Sequence, residues 1–212
     1  GPTGVSGHES TEPVEMASTL VEQAARHVLA HRFAEAAASL RTIDQDALWA
    51  SRASKRRAAA PARRRVPASR RRSSERGSIS LGTIRGVLTR DGYVCRYCGR
   101  RTIDIGVLKA LSALFPLSLP RHRNWKKTEC HPIYWTHVAS LEHLTPVTHG
   151  GTDDPETNLV CACYECNDAR SNALLSDLGW SPSLSRRPGW DGLAPLAVPL
   201  TARARSCGPQ ER

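Results

Sequence analysis

The residues able to do chemistry are crowded between Leu141 and Asn172. Glu142 stands beside His143 at the end of an apolar segment, and Pro146 follows. Gly150-Gly151 and Asn158-Leu159 come next, then Cys163-Tyr164-Glu165-Cys166-Asn167, with Arg170 beyond. An imidazole titrates near neutral pH and suits a general base, so His143 is the candidate base. Glu142 and Asn167 offer hard oxygen donors of the kind Mg²⁺ or Mn²⁺ prefers. A base beside a bound cation is the equipment of metal-assisted hydrolysis. Taken singly, each residue has a plainer reading: His143 as structural, Asn167 as a helix cap, Asn158 as a turn residue. It is their joint spacing beside a Cys-x-x-Cys that points to chemistry.

A second constellation consists of thiols. Four of the seven cysteines form two Cys-x-x-Cys pairs, Cys95/Cys98 and Cys163/Cys166. That is metal spacing, and four sulfurs close a tetrahedral structural zinc site. Gly99 follows the first pair, where a tight turn needs a residue without Cβ. Cys161 competes with Cys163, but only Cys163 stands three residues before Cys166. The plainer reading is four buried thiols. Cys130-His131 lacks a second ligand at knuckle spacing and reads as a free core cysteine. His137 and His149 have no assigned partner and read as structural or solvent-facing.

The elements that position these groups follow from patterning. Residues 133–144 are rich in Ile, Tyr, Trp, Thr and Val and predict a strand. The Gly150-Gly151 and Asp153-Asp154-Pro155 groups predict a loop, and residues 159–162 a short second strand. Ala169, Ala173, Leu174 and Leu178 predict a helix over 167–178 with Asn167 as N-cap. Residues 79–90 predict a helix leading through an Asp91-Gly92 turn into the first knuckle. Between the Cys pairs, residues 100–135 form an insertion. It holds a predicted helix over 103–115 and a basic, Trp-containing patch: Arg121, His122, Arg123, Trp125, Lys126, Lys127. Basic residues around a Trp suit a nucleic-acid strand, and equally a surface loop with one buried aromatic.

Upstream, residues 1–12 are polar and predicted disordered, and 13–53 carry helical spacing with a break near Thr42 to Asp46, predicting two helices. These helices suit packing on the later domain, self-association or a protein partner. Residues 54–78 are Ala, Arg, Ser and Pro, and read as a disordered linker. The domain reading is therefore a linker to 78, a metal-containing domain over 79–182 and a tail over 183–212. Trp190 and Leu193 would fold back, and the last dozen residues read as disordered. The 212-residue chain has a formal net charge of +10. Residues 52–76 hold eleven Lys/Arg against one acid, which leaves nineteen of each sign elsewhere. The basicity thus belongs to one segment and points to a polyanion, through Arg63, Arg64, Arg65, Arg70, Arg71 and Arg72. Residues 107–119 are too short and too interrupted for a membrane span, and the polar N-terminus predicts no signal peptide. Reduced thiolates predict a cytoplasmic setting.

Residues 87–180 resemble the HNH endonuclease family. The family pattern is an acid-His pair, a Pro three residues after the His, a Gly-Gly turn, a central Asn with Leu, and Cys-x-x-Cys-Asn leading into a basic helix. Each element has a counterpart above, and Cys95/Cys98 match the companion zinc knuckle. The resemblance implies an α+β fold with a ββα-metal core and structural zinc. It also implies DNA phosphodiester hydrolysis with 5′-phosphate and 3′-hydroxyl ends. His143 would activate water, Glu142 and Asn167 would hold one Mg²⁺ or Mn²⁺, and Asn158 would brace the loop. Arg170, one turn past Asn167, would contact phosphate. Glu142 departs from the pattern, where Asp is more frequent; the extra methylene moves the carboxylate. Two rival readings are a non-catalytic zinc-stabilised module that binds DNA, and a subunit of a larger nucleic-acid-processing assembly.

Overall fold

The computed structural model describes residues 12–66, 79–183 and 187–211. These divide into two compact units. One lies within residues 1–51, 106–134 and 195–212, and the other within 52–105 and 135–194.

The first unit is helical. Helix α1 (Glu12–Leu29) buries Val14, Ala17, Val21, Ala24, Ala25 and Val28, a stripe at three- and four-residue spacing. It packs on α2 (Phe33–Arg41), which buries Ala36, Ala37 and Leu40. The predicted single helix up to Thr42 is therefore two, broken where His31 takes φ 59°. Helix α3 (Gln45–Arg65) begins after the predicted break. Helix α5 (Ile105–Leu114) is apolar enough to bury Val107, Leu108, Leu111 and Leu114. Helix α9 (Ala197–Cys207) lies against α1, and the Glu211 carboxylate accepts from the Ser118 and Leu117 amides at 2.8 and 3.0 Å. The end of the chain is thus a helix anchored by a carboxylate, correcting the expected disorder. In the insertion, Trp125 stacks edge-on to Tyr134 at 5.6 Å, Lys126 pairs with Glu129 at 3.0 Å, and Lys127 lies over Trp49 at 4.8 Å. The basic patch is partly satisfied within its own unit.

The second unit carries the candidate site. Strand β1 (Ala139–His143) pairs antiparallel with β2 (Leu159–Cys163), with Glu142 opposite Val160 and His143 opposite Leu159. Helix α4 (Leu81–Arg90), N-capped by Ser80, lies against both strands. The short α6 (Ile133–Thr136) precedes β1. This corrects the expected strand start. The Ile133 amide donates to His131 Nδ1, and Ile133, Tyr134 and Trp135 are all buried, so their apolar bulk is served as well by a helical turn as by a strand.

Helix α7 (Tyr164–Arg170) follows β2 directly. Cys163 is its N-cap, its sulfur accepting from the Cys166 amide, so Asn167 sits inside the helix instead of capping it. The predicted helix to Leu178 is also cut. Ser171 takes φ 55°, and the last turns form a separate α8 (Leu175–Leu178). Strand, loop, strand, helix is the observed order: a mixed architecture with helices around a small two-stranded antiparallel sheet.

One expectation is overturned more fully. Residues 54–65, read as linker, are helix. Arg52, Lys55, Ala59, Ala62 and Val66 recur at three- and four-residue spacing and face inward, wholly or in part. Ala62 and Val66 pack with Ala173 and Leu178. Ala and Arg are strong helix formers, so a stripe of small apolar residues suffices to dock the helix. Pro61 removes one ladder hydrogen bond but is exposed. Arg70, Arg71 and Arg72 lie outside the described residues, as does the rest of 67–78.

Candidate active site and metal centre

The four knuckle sulfurs converge. Cys95, Cys98, Cys163 and Cys166 bring their Sγ atoms within 4.8 Å of one another, and Cys98 and Cys163 are 3.8 Å apart. A tetrahedron of sulfurs around zinc at about 2.3 Å has edges of about 3.8 Å, so the donor set fits zinc. The first knuckle is shaped by Gly99 at φ +71° and by the Gly99 amide donating to Cys95 O. The Arg96 amide donates to Cys161 O, tying this knuckle to β2. Cys161 faces the other way, its sulfur 3.6 Å from Thr102 Oγ1. Burial pushes the Cys161 thiol up to about 12, so it stays protonated.

Cations surround the thiol cluster. Lys55 Nζ donates to Cys166 Sγ at 3.3 Å and pairs with Glu165 at 3.0 Å. Glu165 is fully buried and also takes Arg100 at 2.5 Å. Burial by itself lowers the Lys55 pKa, but Cys163, Cys166, Cys98 and Glu165 outweigh it, and the net direction is up. The nearby Asp168 pairs with Arg52 at 2.7 Å and with Arg56. None of these links between α3 and α7 was foreseen, since composition alone made the Arg-rich segment look solvated.

Beyond the knuckles the site turns polar. Glu142 and His143 end β1, and Asn167 lies one turn into α7, which packs on that strand. All three line one cavity of about 520 Å³, together with Asp153, Asp168, Ser171, Asn172 and Arg63. The Asn167 side-chain amide donates to Leu141 O at 3.1 Å and Ser140 Oγ at 3.2 Å. Those bonds commit its nitrogen to the strand and leave Oδ1 as its donor atom. Glu142 and Asn167 thus present hard oxygen chemistry on one cavity, a set that fits Mg²⁺ or Mn²⁺.

Asn158 braces the loop between the strands. The Thr145 amide donates to its Oδ1 at 2.7 Å, and its Nδ2 donates to Thr145 O at 3.0 Å and Thr152 O at 2.7 Å. The loop passes so close that a Cβ at Gly151 would lie 1.7 Å from Thr145 O. Only glycine fits there. The tight loop carries Asp153 to His143, with Nε2 and Oδ1 at 2.7 Å. Asp153 was missed at the sequence level. The sole available signal was the acidic pair inside a Gly-bounded loop.

Arg170 is not a phosphate contact. It is 0 % exposed. Its guanidinium donates to the Glu142 carboxylate, His143 O, Leu144 O at 2.7 Å and Ala173 O at 3.1 Å, and lies 5.9 Å from the Tyr97 ring. Five donors in a planar fork meet an acid and carbonyls that the strand end and helix end bring together. Arg170 therefore fastens the end of β1 to α7. It also places a cation on Glu142. His137 is buried with its Nδ1 2.8 Å from Thr136 Oγ1, and His149 is half-buried beside Thr148 at 3.2 Å.

No helix among the described residues is long and apolar enough to cross a membrane. Comparison with protein families matches residues 133–173 to the HNH endonuclease family, a span that covers β1, β2 and α7 but neither the first cysteine pair nor α3. No curated protein and no solved structure matches the chain.

Proposed function

We propose, from the match of residues 133–173 to the HNH endonuclease family, that this chain is a metal-dependent endonuclease hydrolysing DNA phosphodiester bonds. The observation that carries the reading is the convergence of Glu142, His143 and Asn167 on one polar cavity. His143 takes the proton of the attacking water at Nδ1, because Nε2–H is engaged by Asp153. Asn158 holds the loop that carries Asp153, and so holds the base. Glu142 and Asn167 would hold one Mg²⁺ or Mn²⁺, which would supply positive charge against the oxyanion that develops on the leaving group. The four cysteines would hold a structural zinc, and Cys166 would then fix the position of its neighbour Asn167. Such thiolates suit a reducing compartment such as the cytoplasm.

One observation favours a second reading. The ion pair of Arg170 with Glu142 already neutralises a proposed metal ligand. A chain in which that pair persists would be a zinc-stabilised DNA-binding module without catalysis. Plasmid cleavage with Mg²⁺, with Mn²⁺ and with EDTA separates the two. The nuclease cuts with either ion and stops with EDTA, whereas the binding module leaves the plasmid intact throughout.

A further inference from the structure

We propose that the last turns of α3 form a wall along which the substrate's phosphodiester backbone lies beside the catalytic cavity, with Arg63 and Arg64 as its phosphate contacts. The proposal rests on the nuclease reading above and adds where the strand runs.

Two sets of cations on α3 differ in their partners. Arg52, Lys55 and Arg56 are spent inside the unit on Asp168, Glu165 and the Cys166 sulfur. Arg52 also lies over the Trp135 ring at 5.8 Å. Their work is to dock the helix. Two turns later, the guanidiniums of Arg63 and Arg64 have no hydrogen-bond or ion-pair partner among the described residues. Arg63 is half-buried and Arg64 exposed, so both keep their charge for a ligand.

Position makes the second set specific. Arg63 lines the catalytic cavity with His143, Glu142 and Asn167. A second cavity of about 380 Å³ is lined by Arg56, Ala60, Arg63, Arg64, Val66, Ser171 and Asn172. Arg63, Ser171 and Asn172 line both cavities, so the two adjoin as one track. Ala60 leaves room on the helix side, and the packed Val66 floors it.

The electrostatics give the track a direction. The catalytic cavity holds the acids Glu142, Asp153 and Asp168, whereas no acid lines the second. A polyanion is held along the Arg63–Arg64 wall and repelled from the acidic end unless a divalent ion sits there. Binding energy from the wall would then bring the reacting phosphate to the base. The partner that fits an open groove with two unpaired guanidiniums and no acid is a sugar-phosphate backbone. Bases need not be read there.

The test uses the full chain carrying His143→Ala, which binds without cutting, and a 20-base-pair DNA duplex followed by fluorescence anisotropy across a salt series. Adding Arg63→Ala or Arg64→Ala should each reduce the slope of log K against log salt by about 1, equally on unrelated sequences. Arg57→Ala, on the exposed side of the same helix and outside both cavities, should leave the slope unchanged. An unchanged slope with Arg63→Ala and Arg64→Ala overturns the wall. So does an equal loss with Arg57→Ala, which would mean that the helix binds through its charge alone. A wild-type chain that never cuts while these slopes fall as stated removes the nuclease reading and leaves the wall standing.

Discussion

His143 Nε2 lies 2.7 Å from Asp153 Oδ1, across a loop that Asn158 and Gly151 hold closed. A carboxylate can only accept, so Nε2 carries the proton, and in the neutral imidazole Nδ1 keeps the lone pair. In the proposed mechanism Asp153 is thus a positioning residue for His143. Replacing it with Ala should lower the single-turnover cleavage rate by roughly 10- to 100-fold, the usual scale for an orienting partner, with DNA affinity and melting temperature unchanged. Asp153→Glu should recover part of the rate. Cleavage by Asp153→Ala at the parental rate would make the contact incidental.

Arg170 distinguishes a core residue from a DNA contact. Its guanidinium is wholly buried on Glu142 and three carbonyls. Removing one member of a buried ion pair leaves the other unpaired at a cost of roughly 3–5 kcal/mol. Arg170→Ala should shift the urea midpoint accordingly. A surface phosphate contact would instead leave stability intact and flatten the salt dependence of DNA binding.

The thiol cluster, whose geometry fits zinc, is tied to the basic helix. Lys55 on α3 donates to Cys166 and pairs with Glu165. Purified protein should contain one zinc per chain, and Cys163→Ser should lose it and unfold the core, since a structural zinc contributes folding energy. Chelation should also release α3, and limited trypsin digestion should then cut at Arg52 to Arg65. Folded protein without zinc by elemental analysis, or a trypsin pattern that chelation leaves unaltered, contradicts this coupling.

The parts of the fold legible in the sequence were those set by local chemistry. Paired Cys-x-x-Cys spacing carried the sulfur cluster, the segment 79–90 read as a helix contains α4, and the Gly-Gly turn carried the loop between β1 and β2. What escaped depends on distant partners. The stripe of Ala59, Ala62 and Val66 on α3 is thin, and cationic neighbours mask it; it becomes an interior face because Ala173, Leu178, Asp168 and Glu165 come to meet it. Asn167 resembled a cap until the sulfur of Cys163 took that role. Arg170 looked like a surface cation because the carbonyls of His143, Leu144 and Ala173 that satisfy it converge only after β1 and α7 dock. Asp153 reaches His143 only through the closed loop.

In the proposed mechanism His143 is the base and Glu142 and Asn167 serve a divalent ion. Single-turnover cleavage of a DNA duplex across a Mn²⁺ titration tests it most directly, with His143→Ala, Glu142→Gln and Asn167→Ala beside the parent. The parent should cut, and His143→Ala should be slower by about 10² to 10⁴ at every Mn²⁺ concentration. Glu142→Gln and Asn167→Ala should regain activity as Mn²⁺ rises. His143→Ala cutting at the parental rate would contradict the assignment of the base, and a parent as inactive as all three variants with every ion would contradict catalysis itself.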